Sequence, residues 1–189
     1  MTLNEAQYPV DARGRPDIRY YTDSLEYYIE MYEQYLGALK GKKGACYEPE
    51  LAFSRRVHAM WGLIAKGAAA APFALSLLSH SEPEAREDGP AILAEIGKDE
   101  NVVDQLIRTL QSETDTEARD SLILALGRLK NRKAVPALAA IIRNEAEDGD
   151  TRWTAVESLG YVVRKRFLKQ VNPVQAALAW LDNHGEFAG

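Results

Sequence analysis

The chain has 189 residues, with 28 acidic and 23 basic side chains and a formal net charge of −5. This length permits a domain with a sizeable buried core, while the acidic balance argues against phosphate backbones and anionic membranes as partners. Cys46 is the only cysteine, which excludes an intramolecular disulfide and a cysteine-based zinc cluster.

Residues 1–19 are predicted to form an extended or disordered N-terminal arm. They contain Pro9, Gly14 and Pro16 and show no apolar periodicity. They also lack the apolar core of a secretory signal, and the most apolar window, residues 68–78, is shorter than a bilayer span. We therefore expect a cytoplasmic protein that has no membrane partner.

Residues 20–184 are predicted to form a single all-α domain. Apolar residues recur at helical spacing throughout this range, and no segment shows the alternation of a strand. The first helix is rich in tyrosine, which suits either a cap on the end of a helical stack or a partner-docking face. The predicted helix pairs are 23–66, 68–98, 101–130 and 133–166, followed by a capping helix at 172–184.

A glycine follows the last large apolar residue of the second helix in each pair. The steps between these glycines are 35, 30 and 33 residues, and each step holds two amphipathic helices. A two-helix unit cannot bury its apolar stripe alone, so this period is typical of an α-solenoid in which units stack. A small residue in this position would let neighbouring helices approach closely; the four glycines are Gly62, Gly97, Gly127 and Gly160.

The segments DTEARDSLILALG (115–127), EPEARE (82–87) and DGDTRWTAVESLG (148–160) carry a family resemblance. They resemble the second helix of HEAT repeats, especially the HEAT-like repeats of phycobilisome lyases. The resemblance covers residues 68–166 and implies an α-α superhelix that binds other proteins. It also implies that Arg119 and Arg152 stack in a ladder against loop carboxylates such as Asp115 and Asp150.

The repeat at residues 82–97 departs from this pattern. The gap from arginine to glycine is 11 residues for Arg86 and Gly97 but 8 in the next two repeats, and Gly89 and Pro90 lie inside it. Proline in a helix interior costs about 3 kcal/mol. We therefore predict that this helix begins near Asp88 with Arg86 in the preceding loop, which weakens the case for Arg86 in the ladder.

The candidate partner-binding residues follow from the core positions of the last repeat. Second helices line the concave face of HEAT arrays, and the apolar positions of the helix around residue 156 leave a separate polar and aromatic stripe. Such a composition is typical of an interface hot spot. The alternative is that the aromatic residues pack against the helix at 173–183. The stripe and its counterpart one repeat earlier comprise Trp153, Glu157 and Tyr161, and Asp120, Leu124 and Arg128.

Charges alternate between acidic loops within repeats and basic turns after second helices. This pattern suits the helix macrodipole, which favours carboxylates before N-termini and cations after C-termini. The basic runs Arg128–Lys133 and Arg164–Lys169 are alternatively a rim that binds an anion.

No pattern indicates catalysis, a metal or a cofactor. His58, His80 and His184 lack metal-ligand spacing, and residues 79–82 (SHSE) are adjacent in sequence, unlike a catalytic triad. The chain has neither a P-loop nor a calcium loop. We therefore expect a protein that is not an enzyme.

The sequence predicts a non-enzymatic module that binds another protein, as an adaptor, an assembly factor or an immunity-type inhibitor. One alternative is a bilin lyase subunit or chaperone, for which Cys46 is the one candidate covalent site. Another is a HEAT-like nucleic-acid-binding repair protein, which the net charge disfavours. The identity of the partner, the oligomeric state and the ordering of residues 1–19 on binding stay open.

Overall fold

A computed structural model describes residues 17–40, 49–97 and 99–184, and every regular element in these ranges is helical. This confirms the predicted all-α class. Of the predicted N-terminal arm, residues 1–16 lie outside the described ranges, whereas Ile18–Tyr20 form a 3₁₀ turn capped by Asp17. The α-helices are α1 (Leu25–Lys40), α2 (Pro49–Lys66), α3 (Ala71–Leu77), α4 (Pro83–Ile96), α5 (Glu100–Ser112), α6 (Thr116–Leu129), α7 (Val135–Arg143), α8 (Gly149–Val163) and α9 (Pro173–Asp182).

The chain divides into two compact units, with the boundary between Phe73 and Ala74. In the first unit α1 packs against α2. Tyr28 and Tyr32 of α1 are fully buried, and Gly62 of α2 lies against the Tyr28 ring. The tyrosines on the apolar stripe of α1 therefore form the core of this unit, while Tyr27 stays exposed.

In the second unit, α4, α6 and α8 form a continuous row in which each helix packs on the next. Helix α5 packs on α6, α7 packs on α8, and α9 contacts both α7 and α8. Each pair thus buries its apolar stripe against the neighbouring pair, as the solenoid prediction requires. The largest fully buried side chains of this core are Ile92, Leu93, Leu106, Leu122, Ile123, Leu126, Leu138, Ile142 and Leu159.

Most helices of the second unit begin with a side-chain cap. The side chains of Asp99, Asp115, Asp148 and Asn172 accept hydrogen bonds from backbone N–H groups in the first turns of α5, α6, α8 and α9. Such a cap stabilises a helix by about 1 kcal/mol. Three of the acidic loop residues are therefore used in helix initiation, as the macrodipole interpretation of the charge pattern expects.

Helix α4 corrects the prediction that this helix begins near Asp88. It begins at Pro83 and continues through Pro90, which cannot donate to the carbonyl of Arg86. Tertiary contacts hold the distorted turn: the Ser121 hydroxyl donates to the carbonyl of Glu87 at 2.6 Å. On the other side Gly89 lies directly against α3, where an added Cβ would meet the Ala74 carbonyl at 2.9 Å. Proline is tolerated because its neighbours on both sides are bonded or tightly packed.

The four repeat glycines share a spacing but not a role. Gly62 and Gly127 lie where two helices approach closely, as predicted. Gly97 instead follows the last residue of α4 as its C-cap, and Gly160 lies against the carbonyl of Lys165 in the turn after α8. The period of the sequence therefore marks equivalent positions along the repeats, while the helix-to-helix contact is made at only two of them.

Membrane-spanning potential is confined to one stretch of the described residues. Ser54–Leu77 has 24 residues and a mean hydropathy of 1.3, enough by length and composition to cross a bilayer, and 28% of the tested window is buried. Core helices of soluble proteins pass the same test, so this is weak evidence. The absence of a membrane partner stays a prediction.

The contact between α6 and α8 at Gly127 can be tested by substitution. A Cβ at this position would lie 2.7 Å from both the Cα and the Cβ of Ser158. We expect Gly127→Ala to lower the free energy of unfolding by about 1–3 kcal/mol, because backbones must separate to admit the methyl group. Urea denaturation followed by circular dichroism measures the change.

Gly149→Ala is the matched control, because a Cβ there would have no neighbour within 4 Å. We expect this variant to change the free energy of unfolding by no more than about 0.5 kcal/mol. Equal denaturation midpoints for both variants would contradict the close approach.

Candidate partner-binding site

The candidate site is an exposed strip on α6 and α8, here called the α6–α8 strip: Asp120, Leu124 and Arg128 with Trp153, Glu157 and Tyr161. On α8, Ala155, Val156 and Leu159 are fully buried against neighbouring helices. The strip lies on another side of the same helix, where Trp153 and Tyr161 are each 46% exposed.

Both aromatic side chains keep this exposure with α9 in its native position. The aromatic residue of α9, Trp180, is engaged elsewhere: it stacks on His184 with ring centroids 4.2 Å apart and meets Phe167 edge-on at 6.3 Å. Packing on α9 therefore does not hide Trp153 or Tyr161 from solvent.

A polar row connects three helices along the strip. The Tyr161 hydroxyl donates a 2.9 Å hydrogen bond to Glu157 one turn earlier on α8. On α6, Arg128 donates to Glu95 of α4 at 3.4 Å. The hydrogen bond to Glu157, followed by its negative charge, raises the pKa of Tyr161, and the opposing charge of Arg128 acts on the same hydroxyl. The row thus runs from Glu95 through Arg128 and Tyr161 to Glu157.

Glu95 is the member of this row that the sequence analysis missed. It precedes Arg128 by 33 residues, as Arg128 precedes Tyr161. The signal was therefore present in the repeat period, but the irregular repeat around Pro90 hid the register of α4.

Asp120 lies at the other end of the strip in partly buried surroundings. Burial is the main cause that raises the pKa of Asp120, the charges of Asp148 and Asp150 add to it, and a hydrogen bond with the Thr151 side chain opposes it. One carboxylate oxygen, Oδ1, is buried without a hydrogen-bond partner. This carboxylate is therefore held in an environment that does not fully compensate its charge.

An arginine ladder lies next to the strip. Arg119 donates to the carbonyl of Leu110 at 3.1 Å and to Glu147 at 2.8 Å. Arg152 donates to the carbonyl of Ile142 at 3.0 and 3.2 Å. Each arginine thus joins the start of one helix of the row to the end of the preceding outer helix, as the family resemblance implies.

Arg86 takes the same role despite its irregular repeat. It donates to Glu113 at 2.8 and 3.2 Å and to the carbonyl of His80 at 3.0 Å. The doubt about Arg86 is thereby corrected, because α4 begins early enough to place it in the first turn. The carboxylates that meet the ladder arginines are Glu113 and Glu147. Asp115 instead caps α6, and Asp150 is exposed in the first turn of α8.

The basic runs are partly neutralised within the protein. Lys133 pairs with Glu100 and with Asp104, each at 3.2 Å. Lys130 and Arg164 end α6 and α8 in the left-handed conformation, with φ of 54° and 58°. These residues serve helix ends and ion pairs, which is what the macrodipole interpretation expects.

The histidines are placed by packing and hydrogen bonding. His58 lies 5.1 Å from the Tyr21 ring and 5.8 Å from the Tyr28 ring, and burial lowers its pKa. His80 Nδ1 accepts from the N–H of Glu82 at 3.0 Å. Across the part of the chain that the structure describes, no group of three or more His, Cys, Asp or Glu residues is arranged to hold a metal. Cys46 lies outside the described residues.

The Arg86–Glu113 pair predicts a pH dependence of stability. Burial disfavours the charged form of Glu113, but hydrogen bonds from Arg86 and from the backbone N–H groups of Asp115 and Thr114 outweigh it and lower its pKa below the usual 4.5. A carboxyl group with a lowered folded-state pKa stabilises the fold above its unfolded-state pKa, and this contribution is lost as the pH falls through the folded-state pKa. We therefore expect stability to fall as the pH drops below about 4.5.

The variant Glu113→Gln removes this titration and leaves the Arg86 guanidinium without its carboxylate. We expect a loss of about 1–3 kcal/mol at pH 7 and a flatter decline below pH 4.5, measured by urea denaturation across the pH range. Glu145→Gln, an exposed loop substitution with the same change of charge, is the control. A profile for Glu113→Gln that matches the unmodified protein would contradict the structural role of the pair.

Comparison with known proteins gives one match. A family model described as HEAT repeats matches residues 103–182, which extend from α5 to the end of α9. A comparison with curated proteins finds no matching sequence. HEAT repeats generally mediate protein–protein interactions. The match covers the helix pairs that carry the α6–α8 strip and supports the HEAT-repeat family for this chain.

Proposed function

We propose that this protein is a non-catalytic binding module that presents the α6–α8 strip to a partner protein, as an adaptor, an assembly factor or an immunity-type inhibitor. The observation that carries the proposal is the exposure of Trp153 and Tyr161, each 46%, on a helix whose other side is fully packed. No cofactor is part of this function, and the proposed location is the cytoplasm.

The composition of the strip supports the proposal. Tryptophan, tyrosine and arginine are the residues most enriched among those that dominate binding energy at interfaces. Burial of apolar surface contributes about 25 cal/mol per Å², so covering the exposed parts of two large aromatic side chains provides a substantial driving force. The strip carries all three residue types on two adjacent helices.

The strip is also held in place before any partner binds. The Tyr161 hydroxyl is bonded to Glu157, and Arg128 is bonded to Glu95 on the next helix. A side chain that is already ordered loses less conformational entropy on binding, and this raises affinity. The protein–protein role that HEAT repeats generally have agrees with such a surface.

The combined variant Trp153→Ala and Tyr161→Ala tests the proposal. Proteins captured from the native host by the immobilised chain are identified by mass spectrometry, and the affinity of each is measured by calorimetry. We expect the variant to bind the relevant partner at least about 30-fold more weakly, since hot-spot truncations cost about 2 kcal/mol or more.

The matched control is Tyr20→Ala with Tyr27→Ala, because these aromatic side chains of the first unit are also exposed, at 64% and 44%. We expect the control to keep full affinity. Both double variants should retain the thermal transition of the unmodified protein, which separates a lost surface from a lost fold. Equal binding by the two variants would refute the assignment of the strip.

A further inference from the structure

The strip carries an excess of negative charge around Trp153. Arg128, its only cation, already pairs with Glu95. Glu157 accepts a hydrogen bond from the neutral Tyr161 hydroxyl, and neither Glu157 nor Asp120 forms an ion pair within the described residues. Two carboxylates of the strip therefore lack a cation.

These carboxylates lie on either side of Trp153. Glu157 follows Trp153 by one helical turn, and residues four apart on a helix are neighbours on its surface at about 6 Å between Cβ atoms. Asp120 is the equivalent of Trp153 one repeat earlier on the adjacent helix, and the side chain of Thr151, two residues before Trp153, bonds to it. The indole thus lies between a carboxylate from α6 and one from α8.

The charges around Asp120 reinforce this imbalance. Asp148 and Asp150 act on it with negative charge, and the positive charge of Arg119 opposes them. Arg119 is itself engaged by Glu147 at 2.8 Å. With Asp120 Oδ1 lacking a hydrogen-bond partner, the end of the strip near Trp153 has the field that attracts a cation from outside the chain.

We propose that Trp153, Asp120 and Glu157 form a receptor for a cationic side chain, an arginine or lysine, in a basic segment of the partner protein. This inference rests on the proposed function and names the chemistry of the partner. The cation lies over the indole face, which is the strongest aromatic site for a cation, and the carboxylates supply charge-assisted hydrogen bonds. Arginine fits better than lysine, because its planar guanidinium stacks on an aromatic ring and donates to a carboxylate at the same time.

The net charge of −5 agrees with a basic partner. Complementary charge accelerates association and makes it sensitive to salt, since exposed charges are screened beyond about 10 Å at 0.1 M ionic strength. A partner held in this way binds more weakly as the salt concentration rises.

The experiment is a titration of the ¹⁵N-labelled full chain, in which the indole N–H signals are followed by NMR. The signal of Trp153 is assigned by its loss in Trp153→Phe, which separates it from those of Trp61 and Trp180. The probes are the amidated peptide Gly-Arg-Gly-Arg-Gly and the same peptide with citrulline, a neutral analogue of the same shape, in place of arginine. We expect the arginine peptide to shift the Trp153 signal and the citrulline peptide to leave it unchanged.

Glu157→Gln and Asp120→Asn should each weaken binding of the arginine peptide about three- to tenfold, the size expected for one charged hydrogen bond or cation–π contact at an exposed site. Glu145→Gln, which removes the same charge from an exposed loop, should not change it. Two carboxylate variants keep the test decisive if one of them alters the fold, which circular dichroism reveals.

Equal shifts with both peptides, no shift of the Trp153 signal with either, or full affinity in folded Glu157→Gln and Asp120→Asn would overturn the receptor. The proposed function fails separately, if the Trp153→Ala and Tyr161→Ala variant keeps its partners. If that variant loses a partner whose binding is the same in Glu157→Gln and at 50 and 500 mM salt, the binding module stands and the cationic receptor does not.

Discussion

The second unit depends on one constraint: a pair of helices cannot bury its apolar stripe without a neighbouring pair. The row formed by α4, α6 and α8 satisfies it by direct packing of each helix on the next, closely enough at Gly127 that the Ser158 backbone occupies the space of a side chain. Because this packing uses one side of each helix, another side is left free. The α6–α8 strip exists on that remaining side, so the fold itself provides the surface for binding.

Polar contacts set the register that apolar packing leaves loose. Hydrophobic contact is non-directional, whereas the bonds from Arg86 and Arg119 to a carbonyl and a carboxylate fix where each helix begins relative to its neighbours. The same register places Glu95, Arg128 and Tyr161 in one row. Support of the fold and arrangement of the candidate site are therefore consequences of one spacing.

Much of this architecture could be predicted from the sequence, because helical periodicity and a repeat of 30 to 35 residues are local signals. The start of α4 could not, since the contacts that tolerate Pro90 come from Ser121, which is distant in sequence. The choice of Glu113 over Asp115 as a ladder carboxylate was also hidden, because both precede α6 and only the structure shows that Asp115 is used as its cap. At the candidate site, the aromatic residues were readable from the stripe, but the unbalanced charge of Asp120 required knowledge of what surrounds it.

The arginine ladder has a direction. Glu113 and Glu147 each belong to the loop of one pair but neutralise the arginine of the pair before it, so no pair contains its own complete connection. Arg152, last in the series, meets only a carbonyl among the described residues. A duplication inserted after α8 would therefore be accepted only if it carried an acidic residue in its loop. The chemistry of extension is thus written into the final arginine, and assembly of such arrays from exchangeable parts obeys a rule of succession and not merely one of shape.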